Sequence, residues 1–446
     1  MAECVDFYSQ RDLRTSEYLR NQPWIPLQVH VAIDLQAASG AAGQLALLAL
    51  ANQLVRAHRR VTFDLPSSAI PLLVRIPFSQ GTLAATLLSM VGAIDPCGEF
   101  RLGKRPAEQG IAIGLGENAP ERCDWYIGAN DAVGLINRSP VPFLGGAVAL
   151  RGAALSSCLG AAAVFRSSVG LETVERRVSS WDYSEGAGAS RGRNSTAPLD
   201  VGRVLMVGAG AVAASLAYWL HAFGAGGRWS VVDRDLVEVH NLNRGLVFTA
   251  ANAGWPLGNP ARKAEIVASL LASSRWDPNW YDQSSLVNEH YDVVLGLAND
   301  RDVRHFIASR NNTVTLQATT GENWLSQLHR HIAGVDDCIW CRAGEVGATS
   351  FACSAGLVES PTGARTDAAL PFLSAASGLM LATALERLQT GDLALDECND
   401  WRWDFGSTYR MSSSGFRQCQ TTCTRTLPLK VRRQLDKNSR WIALGQ

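Results

Sequence analysis

Gly208-Ala-Gly210-Ala-Val-Ala213 follows the apolar run Arg203–Val207 and leads into a run that reads as a helix from Ala214 to Phe223. Glycines at such a strand-to-helix turn leave backbone N–H groups and a helix N-terminus facing outward, which is the chemistry of a phosphate cradle. The next apolar run ends at Val231-Val232 and stops at Asp233. An acid at that strand end can hold ribose hydroxyls. Together they predict a nucleotide site and leave NAD, FAD and ATP open. A polar set follows at close spacing: Asp235, Asn241, Arg244 and Lys263. Asn299-Asp300 closes a further apolar run, Tyr291–Leu297. Two cysteine pairs, Cys338-Ile-Trp-Cys341 and Cys419-Gln-Thr-Thr-Cys423, can each grip one side of a tetrahedral ion, and four thiolates suit structural Zn²⁺. Cys353 lies between the pairs, beside Gly356, and is a candidate nucleophile.

These residues need elements to position them. The 446-residue chain is too long for one ordinary domain, and its 47% apolar content allows a large core. Formal net charge is zero, which gives no electrostatic support for nucleic-acid binding. The N-terminus shows no basic region followed by an apolar one, so no signal peptide is expected. The small-residue stretch from Gly145 to Phe165 is interrupted by Arg151 and reads as a packed core helix, not a membrane span. Ten cysteines without an export signal predict thiols and metal ligation in a reducing cytoplasm, with Cys97, Cys123 and Cys158 as buried thiols.

Residues 6–20 read as an amphipathic helix carrying Arg11 and Arg14. Leu27–Leu35 reads as a strand, the small-residue turn 37–43 follows, then a helix over Gln44–His58 and a strand over Arg60–Leu65. That order repeats the βαβ of residues 203–233 in weaker form, without its glycine pattern or its polar set. Further elements are expected at Gln80–Ile94, Gly110–Leu115, Asp124–Gly128 and Gly152–Phe165. The Gly/Ser-rich segment 184–199 reads as a linker. The fold class expected is therefore α/β, with two Rossmann-like domains over 1–183 and 200–446.

The ordered set Asp233-x-Asp235, Asn241-Leu-Asn-Arg244 and Arg262-Lys263 resembles the ThiF-type superfamily, which includes ubiquitin-like-protein activating enzymes and sulfur-carrier adenylyltransferases. The resemblance is strong over about residues 200–390 and weak before that. It implies ATP and Mg²⁺ as cofactors. It implies that Asp233 holds ribose, Asn241 and Arg244 hold phosphates, and Lys263 neutralises charge in the transition state. It places Mg²⁺ on Asp300 or on Asn299, in an order swapped from the family's Asp-then-Asn. Cys338, Cys341, Cys419 and Cys423 resemble the family's zinc set, and the loop at about 342–369 resembles the one that carries or leads to the thioester cysteine, here Cys353. Tyr8-Ser9-Gln10-Arg11 resembles a segment that lends an arginine to a partner's ATP site, so Arg11 is expected near the γ-phosphate.

A degenerate first domain fused to an intact second one resembles compact bacterial activating enzymes of ubiquitin-like defence operons. The expected reaction adenylates the C-terminal carboxylate of a ubiquitin-like protein, moves it to Cys353 as a thioester and passes it to a conjugating enzyme. No nucleic acid or membrane partner is expected. The halves form an intrachain pseudo-dimer, with a homodimer of whole chains also open. The alternatives are a sulfur-carrier or peptide adenylyltransferase without a thioester step, and a catalytically inactive scaffold.

Overall fold

The computed structural model describes residues 2–13, 15, 26–105, 110–119, 122–146, 149–192, 199–310, 312, 314–321, 324–332, 336–337, 358–359, 365–366, 370–392, 398–406 and 410–415. The chain opens with α1 (Ala2–Arg11), β1 (Gln28–Ile33), the single turn α2 (Leu35–Ala38) and α3 (Ala41–Val55). Then come β2 (Arg60–Asp64), α4 (Leu83–Ile94), β3 (Glu99–Leu102), β4 (Ile111–Leu115), β5 (Trp125–Asn130), β6 (Val133–Asn137), β7 (Phe143–Leu144), α5 (Ala149–Ser168) and β8 (Arg176–Ser179). The second half holds β9 (Asp200–Val207), α6 (Ala211–Ala222), β10 (Gly226–Val232), α7 (Lys263–Ser269), β11 (Ser274–Asp277), β12 (Val293–Gly296), α8 (Arg301–Ser309), β13 (Val314–Gly321) and β14 (Leu325–Ile332). A two-residue pair, β15 (Val358–Glu359) with β16 (Arg365–Thr366), precedes α9 (Pro371–Gln389), β17 (Cys398–Asp404) and β18 (Met411–Gly415).

Two mixed sheets result, and they share one plan. The first runs β3-β2-β1-β4-β5-β6-β8, with β7 beside β5; the second runs β11-β10-β9-β12-β13-β14-β17-β18. In each, the first five strands are parallel and those after them along the path antiparallel, while β7 lies parallel to β5. Strands in the parallel part are covered on both faces, which is why β9 and β12 read as continuous apolar runs. Val204, Met206, Val293 and Leu295 are fully buried. The antiparallel strands β8, β14, β17 and β18 escaped sequence reading, because polar residues interrupt their pattern and pairing across the sheet holds them instead; β6, a short apolar run, escaped it too.

Helices α3, α5, α6 and α9 pack against one another between the sheets. One hydrophobic cluster runs from Val31 and Leu48 through Leu159 to Leu216 and Leu381, so the halves share a core. Gly378 on α9 lets this happen: a Cβ there would stand 2.6 Å from the Leu216 nitrogen on α6. Arg151, an odd residue for an apolar helix, forms a two-pronged ion pair from α5 to Glu386 on α9. Arg166 caps the far end of the interface by donating to the carbonyls of Phe405 and Gly406. Among the described residues no helix is long and apolar enough to cross a membrane, and the stretch suspected of it is this buried α5.

Three expectations change. The first helix begins at Ala2 and ends at Arg11, where 6–20 was expected; residues 14 and 16–20 of that span lie outside the described residues. Cys97 is not a free thiol; it is disulfide-bonded to Cys4, which ties α1 to the turn after α4. Spacing cannot reveal a bond between cysteines 93 positions apart. Cys123 and Cys158 are buried thiols as expected, and burial pushes Cys158 up to about 12, leaving it inert. The Gly/Ser-rich segment does not run free as far as Gly192: Ser184 accepts from the Ser179 amide, and Arg191 from that of Ala132.

Replacing Gly378 with valine puts a branched side chain against the α6 backbone. We expect a loss of about 1–3 kcal/mol, read as a lower unfolding midpoint; an unchanged midpoint would contradict the close packing of α6 and α9.

Candidate nucleotide site

The second sheet has a crevice at the carboxyl ends of β9, β10 and β12, where successive connections leave β9 in opposite directions. Such switch points are where open α/β sheets bind ligands. Here the crevice is a cleft of about 430 Å³ lined by Gly208, Gly210, Asp233, Asp235, Asn241, Arg244, Lys263, Asn299 and Asp300, with others. The nine residues expected at the nucleotide are thus brought together from five chain segments.

Local chemistry explains each placement. Gly208 has φ +98°, and a Cβ there would lie 2.4 Å from the Ala298 nitrogen, so the turn after β9 tolerates no side chain. Gly210 is the N-cap of α6 and offers no side chain to the first helical amides. Asp233 closes β10 with its carboxylate facing two amides: Oδ2 accepts from Ala209 N at 2.5 Å and Oδ1 from Asp235 N at 2.8 Å. Burial pushes its pKa up, against the lowering effect of those two amides.

Asp235 in turn recruits Lys263. Its carbonyl accepts from the Lys263 amide at 3.0 Å, and its Oδ2 pairs with Nζ at 3.0 Å. Lys263 opens α7 and is 9% exposed, so its ammonium is held at the cleft wall. Asn241 ends a 3₁₀ turn, Val239–Asn241, whose capping box ties its side-chain oxygen to the Glu238 amide at 3.0 Å. Only its NH₂ can then serve a phosphate. Arg244 donates from Nη1 to the Asn243 side chain at 3.2 Å. Asp300 is the N-cap of α8; Oδ1 accepts from Asp302 N at 2.8 Å, which leaves Oδ2 for a ligand. A carboxylate oxygen beside the Asn299 amide oxygen is a donor set that fits a hard cation such as Mg²⁺.

Some expectations fall elsewhere. Arg11 is fully buried in the first half, bound to Asp12 at 2.6 Å, to Asp95 at 2.5 Å and to the Val55 carbonyl at 3.1 Å. A buried guanidinium requires such partners, and Arg11 is not among the residues that line the cleft. Arg304 is 3% exposed and braces the Ala298 carbonyl and Gln317 behind the cleft. Cys338, Cys341, Cys353, Cys419 and Cys423 lie outside the described residues. Among the described residues no group of three or more His, Cys, Asp or Glu side chains is arranged for a metal.

Sequence reading missed Asn279, Trp280 and Tyr281, which wall the cleft after β11. The Arg234 guanidinium stacks on Trp280 at 3.6 Å, and Tyr281 packs on Phe306 at 4.9 Å. An aromatic pair starting three residues beyond a strand was the available signal. It went unread because β11 is a partly exposed edge strand with no apolar run. The first sheet has a matching cleft of about 450 Å³ at the ends of β1 and β4, lined by Asp34 and Glu117 and, among the described residues, by no cation. That agrees with the absence of the polar set from the first half.

Residues 189–393 match the model of the ThiF family. Over 289 residues, 61% of the chain, the protein is 27% identical to the uncharacterized protein y4jF of Sinorhizobium fredii, of which the match covers 52%. The chain thus spans about half the length of that curated relative. Among solved structures it is similar to MccB of E. coli, with a TM-score of 0.38 and 13% identity over 50% of the chain and 64% of MccB. The crystal structure of E. coli MccB with ATP gives the same TM-score and identity, over 50% and 65%.

A cleft with two fixed cations and uncapped helical amides should take polyphosphate. Inorganic pyrophosphate is expected to bind, followed by calorimetry, and Lys263→Met to weaken it about tenfold. Equal binding by both proteins would remove Lys263 from the site.

Proposed function

We propose that this chain, whose residues 189–393 match the ThiF family model, is an ATP-dependent adenylyltransferase that activates a carboxylate. The single observation that carries this is the convergence of Asp233, Asn241, Arg244, Lys263 and Asp300 on one cleft at a glycine turn. A dehydrogenase needs no paired cations there; a triphosphate does. Asp233 takes the ribose, the Gly208–Gly210 turn and Asn241 take phosphate oxygens, and Arg244 and Lys263 neutralise them. Lys263 leaves Asp235 for the triphosphate as it arrives. Mg²⁺ on Asp300 and Asn299 would screen the phosphate charge. The substrate carboxylate attacks the α-phosphorus, a new P–O bond forms, the α–β bridge breaks, and pyrophosphate leaves.

The fuller reading adds a ubiquitin-like protein as the carboxylate donor. The Cys353 thiolate then attacks the acyl-adenylate, AMP leaves with the bonding pair, and the thioester passes to a conjugating enzyme. It rests on the motif order and on the fused layout, with the first half as an inactive platform. A four-cysteine zinc site is part of this reading. Supporting it, Asp337, next to Cys338, accepts from Asn399 at 2.6 Å, and Cys398 pairs with Gly415, four positions before Cys419. Asp337 and Gly415 thus both neighbour the start of β17.

ATP–pyrophosphate exchange, with a ubiquitin-like protein encoded beside this one as substrate, tests the first step; no exchange would leave a catalytically inactive scaffold. A thiol-sensitive adduct lost in Cys353→Ala is expected for the second. An activity that survives Cys353→Ala intact would assign a peptide or sulfur-carrier adenylyltransferase without a thioester. Metal analysis should find about one zinc per chain, lost together with stability in Cys341→Ser. A metal-free protein of unchanged stability would rule the zinc site out.

A further inference from the structure

Arg56 stands at the C-cap of α3 in the first half, with none of its surface exposed. Its guanidinium reaches into the second half. Nη1 donates to the Leu242 carbonyl at 2.6 Å and to that of Phe248 at 3.2 Å, Nη2 donates to Phe248 as well, and Nε donates to Asn52 at 2.8 Å. Asn52 then donates to the Leu246 carbonyl at 3.0 Å. Leu242 lies between Asn241 and Arg244, so one side chain of the first half holds the turn that carries both phosphate-binding candidates of the second.

The charge of Arg56 is unusual. Its acceptors are all neutral oxygens, and among the described residues it forms no ion pair with a carboxylate. The electrostatic neighbours are another cation, Arg11, and the buried hydroxyl of Tyr218 on α6. Burial accordingly pushes the Arg56 pKa down. Arg11, equally buried, has Asp12 and Asp95 for this purpose. A cation left without an anion inside a protein is costly, unless an anion arrives during function. The only expected polyanion nearby is the one bound by the turn it supports.

We propose that Arg56 is a positioning residue of the nucleotide site, supplied by the first half, which fixes the Asn241–Arg244 turn and whose unpaired charge is answered by the phosphates of the bound nucleotide. The inference rests on reading the cleft as an ATP site. It gives the first half a part in nucleotide binding although, among the described residues, its own cleft is lined by no cation.

The test uses the full chain and four probes: adenosine, AMP, ADP and ATP, each followed by calorimetry. Two variants separate charge from support. Arg56→Gln keeps donors and loses charge; Arg56→Lys keeps charge with fewer donors. Thermal unfolding establishes that each is folded. In Arg56→Gln, adenosine binding should stay within about twofold while the loss grows with each phosphate, to about tenfold for ATP. Arg56→Lys should recover most of the ATP affinity. Equal losses for all four probes, or no loss for ATP, would overturn the role of the Arg56 charge. A variant that unfolds leaves the other to decide, because the Lys and Gln outcomes are opposite. Wild-type protein that binds adenosine and ATP equally would overturn the assignment of Arg56, and wild-type protein that binds neither would overturn the ATP site itself.

Discussion

The Asp233 carboxylate, aimed at the amides of Ala209 and Asp235, is the contact on which the site depends. It joins the glycine turn after β9 to the acidic turn after β10. The acidic turn then draws in Lys263 through both the backbone and the side chain of Asp235. One buried anion thus aligns the phosphate cradle and, one residue further on, the lysine. A carboxylate suits this because it accepts from two amides at once, and charged acceptors bond more strongly than neutral ones.

Beyond the cleft, the two halves behave as parts of one core. Helices α3, α5, α6 and α9 lie between sheets of matching strand order, and several polar groups trapped among them are matched across the boundary. Arg151 meets Glu386, Arg166 meets two carbonyls, and Asn52 and Arg56 meet the turn beyond Asn241. A buried polar group without a partner costs more than a made hydrogen bond returns, so these pairs specify how the halves sit. The Cys4–Cys97 bond adds α1 to the same unit, and α1 packs on the 3₁₀ turn that ends in Asn241.

Helices α3 to α6 and the parallel strands β1, β2, β4, β5, β9, β10 and β12 could be read from the chain because their signal is local. β9 and β12 are apolar runs ending in glycine or a small residue, and the helix over residues 149–168 is visible as small and apolar residues. The antiparallel strands could not, since β14 and β17 mix His, Arg, Gln, Asn and Asp with Trp and Leu. Within the site, Gly208, Asp233, Asn241, Arg244, Lys263, Asn299 and Asp300 were legible as a motif with a fixed order. Trp280 and Tyr281 were not, because they follow an edge strand and belong to no pattern.

The sequence alone determined two Rossmann-like halves and the residues of one polar cleft, since glycines, strand-end acids and cations recur there in a fixed order. Tertiary structure decided what those residues face. It put Arg11 among Asp12 and Asp95, joined Cys97 to Cys4, and set Arg56 behind the turn of Asn241. Apart from the adjacent Arg11 and Asp12, these pairings join residues 84 to 186 positions apart. Burial selects them, because a charge inside a protein must find a partner wherever the fold happens to bring one.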